Sequence, residues 1–169
     1  MNVMDAIKSR RSIRSFLPKP IEDDKLSMII EAARLAPTAS NQQELKIVIV
    51  KDDSLKKAMV HACVGQQFIG EAPVVLVMCS TNQREMLCGQ PTRTIDCSIA
   101  FSFILLEAQE LGLGMCWIGS FQAFEIQAIL GIPEDYEVVA LAPIGYAANL
   151  GYKTSRKKTS ELVCYNMWS

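Results

Sequence analysis

Apolar positions along the chain fall into two patterns. Short apolar runs rich in β-branched residues occur at 45–50, 73–79, 115–118 and 138–144, each bounded by turn-forming or polar residues, and predict strands. The run at 73–79 is entered through Pro73 and carries no charge, which predicts a buried strand. Between the strands, apolar residues recur at helical spacing. A short helix is predicted at 2–10. A second opens with Asp23 or Asp24 as its cap, carries Leu26, Ile29, Ile30, Ala33 and Leu35, and stops at Pro37. Further helices are predicted at 54–62, 95–111 and 124–130, the last closed by Gly131 and Pro133, with a short helix at 160–164 in a polar tail. The helix at 95–111 is apolar nearly all round: Ile99, Ala100, Phe101, Phe103, Ile104, Leu105, Leu106 and Ala108 leave little polar face. Such a helix is expected in the core or in a subunit interface. Strands and helices mix without a strict β-α-β rhythm, so the class is α+β, with residues 1–169 forming one domain without linker or repeat.

Composition narrows the setting. Half of the residues are hydrophobic, 21% are charged and the formal net charge is −1, which suits a globular domain and gives no bulk attraction to nucleic acid. The longest apolar stretch, 99–106 with Ser102 inside it, is far short of the roughly 20 residues that span a bilayer, and the first residues lack an apolar signal segment. A cytoplasmic protein without membrane contact is expected. Cys63, Cys79, Cys88, Cys97, Cys116 and Cys164 form no C-x-x-C pair, so they read as reduced thiols and no metal site is expected. His61, the one histidine, falls late in a helix and reads as a surface residue. A glycine-rich dinucleotide fingerprint and a phosphate-loop lysine motif are both absent, and one histidine supports no nucleophilic triad.

The charged residues carry more information than their sum. Arg10-Arg11-Ser12-Ile13-Arg14 near the start is answered by Arg156-Lys157-Lys158 near the end. Two cationic knots in a chain of net charge −1 suggest one local anion held by residues distant in sequence. Guanidiniums that fork onto phosphate oxygens, with a serine hydroxyl between them, form a kit for phosphate and polyol recognition. The segment 36–43, Ala-Pro-Thr-Ala-Ser-Asn-Gln-Gln, is a loop crowded with hydroxyls and amides, able to bond a polar edge as donor and as acceptor.

Five blocks now stand in order: Arg10 to Arg14; Ala36 to Asn41 with Gln43; Asp96 opening a helix that ends Glu110-Leu111-Gly112-Leu113-Gly114; Cys116-Trp117-Ile118-Gly119-Ser120-Phe121; and Ala142-Pro143-Ile144-Gly145-Tyr146. Together they resemble the nitroreductase family over most of the chain. The resemblance implies a nitroreductase-like fold with a central mixed, mainly antiparallel sheet flanked by helices. It also implies an FMN-dependent homodimer that takes hydride from NADH or NADPH and passes it by ping-pong chemistry to a small-molecule acceptor such as a nitroaromatic or quinone. A flavin-binding or flavin-carrier protein with little turnover is the alternative.

Carried onto this chain, the resemblance assigns Arg10 and Ser12 to the FMN phosphate and ribityl groups, with Arg11 nearby and Arg156 as a late phosphate ligand. Arg14 would face the N1/O2 edge of the flavin, where a cation favours reduction. Pro37, Thr38, Ala39, Ser40 and Asn41, with Gln43, match the loop that approaches the flavin from the second subunit. Trp117, Ile118 and Gly119 match the strand end beside the isoalloxazine. No side chain is expected to act as a catalytic acid or base, since the flavin carries the chemistry. The chain departs from the family where Glu44-Leu45 replaces Pro-Trp, where Ala147 replaces a proline, and where Lys158-Thr159 replaces Pro-Leu. The segment 81–94, least like the family, lies where members place part of their substrate-selecting surface.

Overall fold

The computed structural model describes residues 2–168. The elements run α1 (Val3–Ser9), α2 (Asp23–Arg34), β1 (Leu45–Val50), α3 (Asp53–Ala62), α4 (Phe68–Glu71), β2 (Val74–Ser80), α5 (Thr92–Glu110), β3 (Gly114–Met115), α6 (Ala123–Leu130) and β4 (Glu137–Gly145), with short 3-10 turns at Ala39–Asn41 and Thr159–Glu161. The strands form one sheet in the order β1-β2-β4-β3, with antiparallel ladders. A parallel bridge between Ser12 and Met115 makes its edge mixed. This is the α+β arrangement that the patterning predicts.

Strand β2 explains why the run at 73–79 is apolar without alternation: all seven of its residues are buried. Successive side chains point to opposite faces. Val74, Leu76 and Met78 join a core with Ile29 of α2 and Phe101 and Ile104 of α5, whereas Val75, Val77 and Cys79 join another with Met59 of α3, Ile126 of α6 and Leu141 of β4. The sheet is therefore covered on both faces. Among the described residues, no helix is long and apolar enough to cross a membrane.

Several expectations need correction. Helix α5 begins at Thr92, earlier than 95, where the Thr92 N–H is held by the Arg84 carbonyl at 3.0 Å, closing a loop that sequence periodicity does not register. Asp96 is consequently inside the helix and does not open it. Helix α5 is buried along one face only, with Phe103 41% exposed. On α2 the capping position falls to Glu22, without a side-chain bond, while Asp23 and Asp24 sit in the first turn near the positive helix end; Leu35 is exposed. Strand β3 is Gly114–Met115, so it holds one of the four predicted residues, Met115, with a separate bridge joining Ile118 to Leu141. Helix α4, one turn long, is too short to leave a periodic signal. The tail forms a 3-10 turn at Thr159–Glu161 in place of a helix at 160–164.

The segment after α1 is fastened along the sheet edge. The Ile13 N–H donates to the Met115 carbonyl at 3.1 Å, the Leu17 N–H to the Tyr146 carbonyl at 2.8 Å, and the Ala148 N–H to the Ser15 carbonyl at 2.9 Å. Ile13 and Phe16 point inward and are buried, leaving Ser12 and Arg14 outward. Ile13 fits because residue 114 has no side chain: a Cβ there would lie 2.4 Å from Ile13 Cγ1. Gly114→Ala should therefore lower stability by about 1–3 kcal/mol. In urea unfolding, combining it with Ile13→Ala, which removes the Cγ atoms that the new Cβ would meet, should cost less than the two single losses added together.

Candidate functional site

A cavity of about 470 Å³ lies at this sheet edge. One wall is Arg10, Arg11, Ser12, Arg14 and Ser15; the other is Asn149, Gly151, Tyr152, Thr154 and Arg156, from the chain that leaves β4. Both basic knots predicted from the sequence thus contribute to one cavity. Four guanidiniums, three hydroxylated side chains besides Tyr152, and no carboxylate line it, a donor set that suits an anion.

The arginines are held differently. Arg11 Nη1 donates to the carbonyls of Lys8, Ser9 and Arg10 at 3.0, 2.9 and 2.8 Å, so it caps the negative end of α1 while lining the cavity. Arg10 stands at the α1 C-cap, its N–H bonded to the Ala6 carbonyl. Arg156 Nη1 donates to Thr154 Oγ1 at 2.6 Å and to the Ser155 carbonyl at 3.0 Å, which stiffens the far wall locally. Residue 151 has φ +67, a left-handed conformation that glycine adopts without strain, and a Cβ there would lie in ordinary contact, 3.6 Å, with the Ser12 carbonyl oxygen of the first wall.

Behind the cavity lies Cys116, bonded to Ser12 and influenced by Arg14 and Arg10. Burial pushes its thiol pKa up, against those three groups, which act to lower it. Beyond it, Ile118 is buried and exchanges two backbone bonds with Leu141, at 2.8 and 3.1 Å. Trp117 on the opposite side is 45% exposed. Its indole lies over Gly119, where a Cβ would come within 2.7 Å of the ring.

Residues 37–43 stand apart; none of them lines this cavity. Their loop follows α2, and Thr38 and Gln43 border a separate groove with Ile30 and Ile47. Within it Ser40, Asn41 and Gln43 have φ of 54, 53 and 57°, the left-handed region that non-glycine residues seldom occupy. The Asn41 N–H donates to the Thr38 carbonyl at 2.9 Å and the Gln43 N–H to Thr38 Oγ1 at 3.1 Å. From α5, Asp96 Oδ1 accepts the Ala39 N–H at 3.0 Å.

With the fold and the cavity described, the chain can be set beside known proteins. A model described as "Nitroreductase family" matches residues 7–68 and 58–146. The chain belongs to the nitroreductase family. It is 30% identical to "NADH dehydrogenase" of Thermus thermophilus over 197 aligned positions, covering 98% of this chain and 96% of that protein. A nitroreductase family protein from Clostridium novyi superposes with a TM-score of 0.83 at 33% identity, over 88% of this chain and 87% of that one. The NADPH:FMN oxidoreductase of Vibrio harveyi, solved with NAD+, superposes with a TM-score of 0.91 at 26% identity, over 100% of this chain and 78% of that one.

Two features of this nitroreductase family member escaped the sequence. Segment 81–91 closes on itself: the Met86 N–H donates to the Gln90 carbonyl at 2.9 Å and Gly89 turns the chain at φ +81. It leaves Leu87 exposed, and Glu44, one of the departures from the family pattern, pairs with Arg84 of this segment at 3.1 Å. His61 is exposed, its Nδ1 3.2 Å from Glu125 Oε2, as a surface residue would be.

The second feature is a polar tie at Tyr146. Its hydroxyl donates to Glu22 Oε2 at 2.6 Å and accepts from Lys25 Nζ at 2.8 Å, while Lys25 Nζ also donates to the Leu111 carbonyl at 3.2 Å. The Tyr146 bond, aided by a backbone bond, Lys19 and Lys25, lowers the Glu22 pKa from 4.5 to about 2. A carboxyl whose folded pKa is depressed adds stability above its unfolded pKa, and loses it as pH falls through the folded value. The window therefore runs from about 4.5 down to about 2. Tyr146→Phe should flatten the acid dependence of stability in this window, measured as the slope of the urea midpoint against pH.

Proposed function

We propose that this chain is an FMN-dependent oxidoreductase that uses NADH or NADPH. The observation that supports it most is the single cavity lined by Arg10, Ser12, Arg14 and Arg156 without a carboxylate, in a chain of the nitroreductase family. That donor set fits the doubly charged phosphate and the polyol of FMN. Arg10, Ser12 and Arg156 hold the phosphate and ribityl groups, with Arg11 fixing the α1 end from which Arg10 and Ser12 follow. Arg14 serves the N1/O2 edge of the isoalloxazine, and Trp117, Ile118 and Gly119 flank the ring. When bound, FMN supplies two-electron hydride chemistry between the nicotinamide and an acceptor. The chain binds, orients and sets the field, and needs no acid or base of its own.

The site is completed by a second copy. Pro37, Thr38, Ala39, Ser40, Asn41 and Gln43 do not reach the arginine cavity of their own chain, and in a homodimer they serve the partner's flavin. Unpartnered apolar surface supports the dimer: Val3, Met4 and Ile7 of α1 and Phe103 of α5, which α1 touches, are exposed, and Tyr152, Leu162, Tyr165, Met167 and Trp168 of the tail are exposed as well. The acceptor is a small nitroaromatic or quinone, nicotinamide and acceptor occupying the site in turn, and the enzyme works in the cytoplasm.

The deciding experiment is a spectrum. Protein saturated with FMN should be yellow, bleach under NADH or NADPH without oxygen, and regain its colour with a quinone. A sample that stays yellow is a carrier, and one that takes up no FMN ends the flavin assignment. Arg10→Ala and Arg156→Ala should each weaken FMN binding by about 1.5–3 kcal/mol while changing riboflavin affinity much less. Equal losses for the two flavins in a fluorescence titration would remove the phosphate role.

A further inference from the structure

Asp96 stands on the buried stripe of α5 with Cys97, Ala100, Phe101 and Ile104, and is 6% exposed. A carboxylate in such surroundings costs more than an aliphatic side chain of similar size, so core stability does not account for it. Its Oδ1 accepts the Ala39 N–H at 3.0 Å, from a loop 57 residues earlier in the chain. Ala39 opens the 3-10 turn Ala39–Asn41, whose capping residue Thr38 offers no side-chain bond to it. The first N–H groups of a helical turn have no internal partner and carry its positive end. Asp96 supplies from a distant helix the acceptor that a local cap would have supplied. The residues it thereby fixes are the strained ones: Ser40, Asn41 and Gln43, all left-handed.

We infer that Asp96 is a positioning residue: it holds residues 38–43 in the conformation with which they meet the partner subunit's flavin. The inference rests on the flavin assignment made above. Strain in that loop persists because the helix fixes it from outside, and relaxation of the loop would move hydroxyl and amide groups away from the cofactor.

The test compares three variants. Asp96→Asn keeps a carbonyl oxygen at the accepting position; Asp96→Leu removes it while filling the space with an apolar chain; Asp96→Ala removes both. In Asp96→Leu, amide hydrogen exchange over residues 36–44 should quicken by about tenfold, the equivalent of one lost charge-assisted bond, while β2 stays protected. The FMN dissociation constant should rise by about tenfold and the visible circular dichroism of the bound flavin should change. Asp96→Asn should stay close to the unaltered protein in all three readouts. Asp96→Ala should follow Asp96→Leu, and if one of the two fails to fold the other carries the comparison. Unchanged exchange in Asp96→Leu would overturn the inference, as would quickened exchange with unaltered FMN affinity and dichroism, or an Asn variant as impaired as the Leu variant. Failure of the flavin assignment looks different: the unaltered protein takes up no FMN, yet the loop still exchanges faster in Asp96→Leu, and Asp96 is then a structural tether only.

Discussion

The segment that carries the first arginines joins the sheet edge only through isolated bridges, and the site depends on how it is pinned. Three backbone bonds fasten residues 13–17 to the edge formed by β3 and the end of β4, and Ile13 is seated where Gly114 leaves room. Because Phe16 bridges Ala147, the chain leaving β4 runs back beside this segment. The two basic knots are therefore brought together by strand pairing rather than by attraction between them, which between like charges is repulsion. Four cations without a carboxylate among them weigh against the folded state, and an anion in the cavity reverses the sign of that contribution.

Much of this was legible in the chain. The strands show because β2 is buried on both faces and its neighbours are rich in valine and isoleucine. The two knots show because charge clustering stands out against a near-neutral total. What stayed hidden lies in tertiary bonds. Glycine is the usual mark of left-handed backbone, and the loop at 36–43 has none, so the conformations of Ser40 and Gln43 leave no trace in the sequence. Asp96 reads in the sequence as the residue that opens its helix, and its role inside the helix shows only once its partner at Ala39 is seen. The start of α5 is tied to Arg84, eight positions before it, and a periodicity count passes over such a bond.

Buried thiols have their own place in an oxidoreductase. Burial pushes Cys63 and Cys79 to about 11 and Cys97 to about 12. Nucleophilic attack and oxidation proceed through the thiolate, so at neutral pH these sulfurs act as packing atoms. A redox protein gains from that quietness: electrons are exchanged at the cofactor and not with the core.

The two walls of the arginine cavity differ in kind. One belongs to a pinned edge; the other, residues 149–156, belongs to a stretch that is exposed over almost its whole length from residue 148 onward. Fixing each such residue costs about 1–2 kcal/mol of backbone entropy. Whatever anion sits there spends part of its contact energy on straightening this strap, so the affinity a titration reports is a remainder, smaller than the donor set suggests. It is also adjustable from outside the site: anything that quiets the strap beforehand, such as a neighbouring surface laid against its tyrosines and tryptophan, tightens the hold on the anion without touching a single arginine.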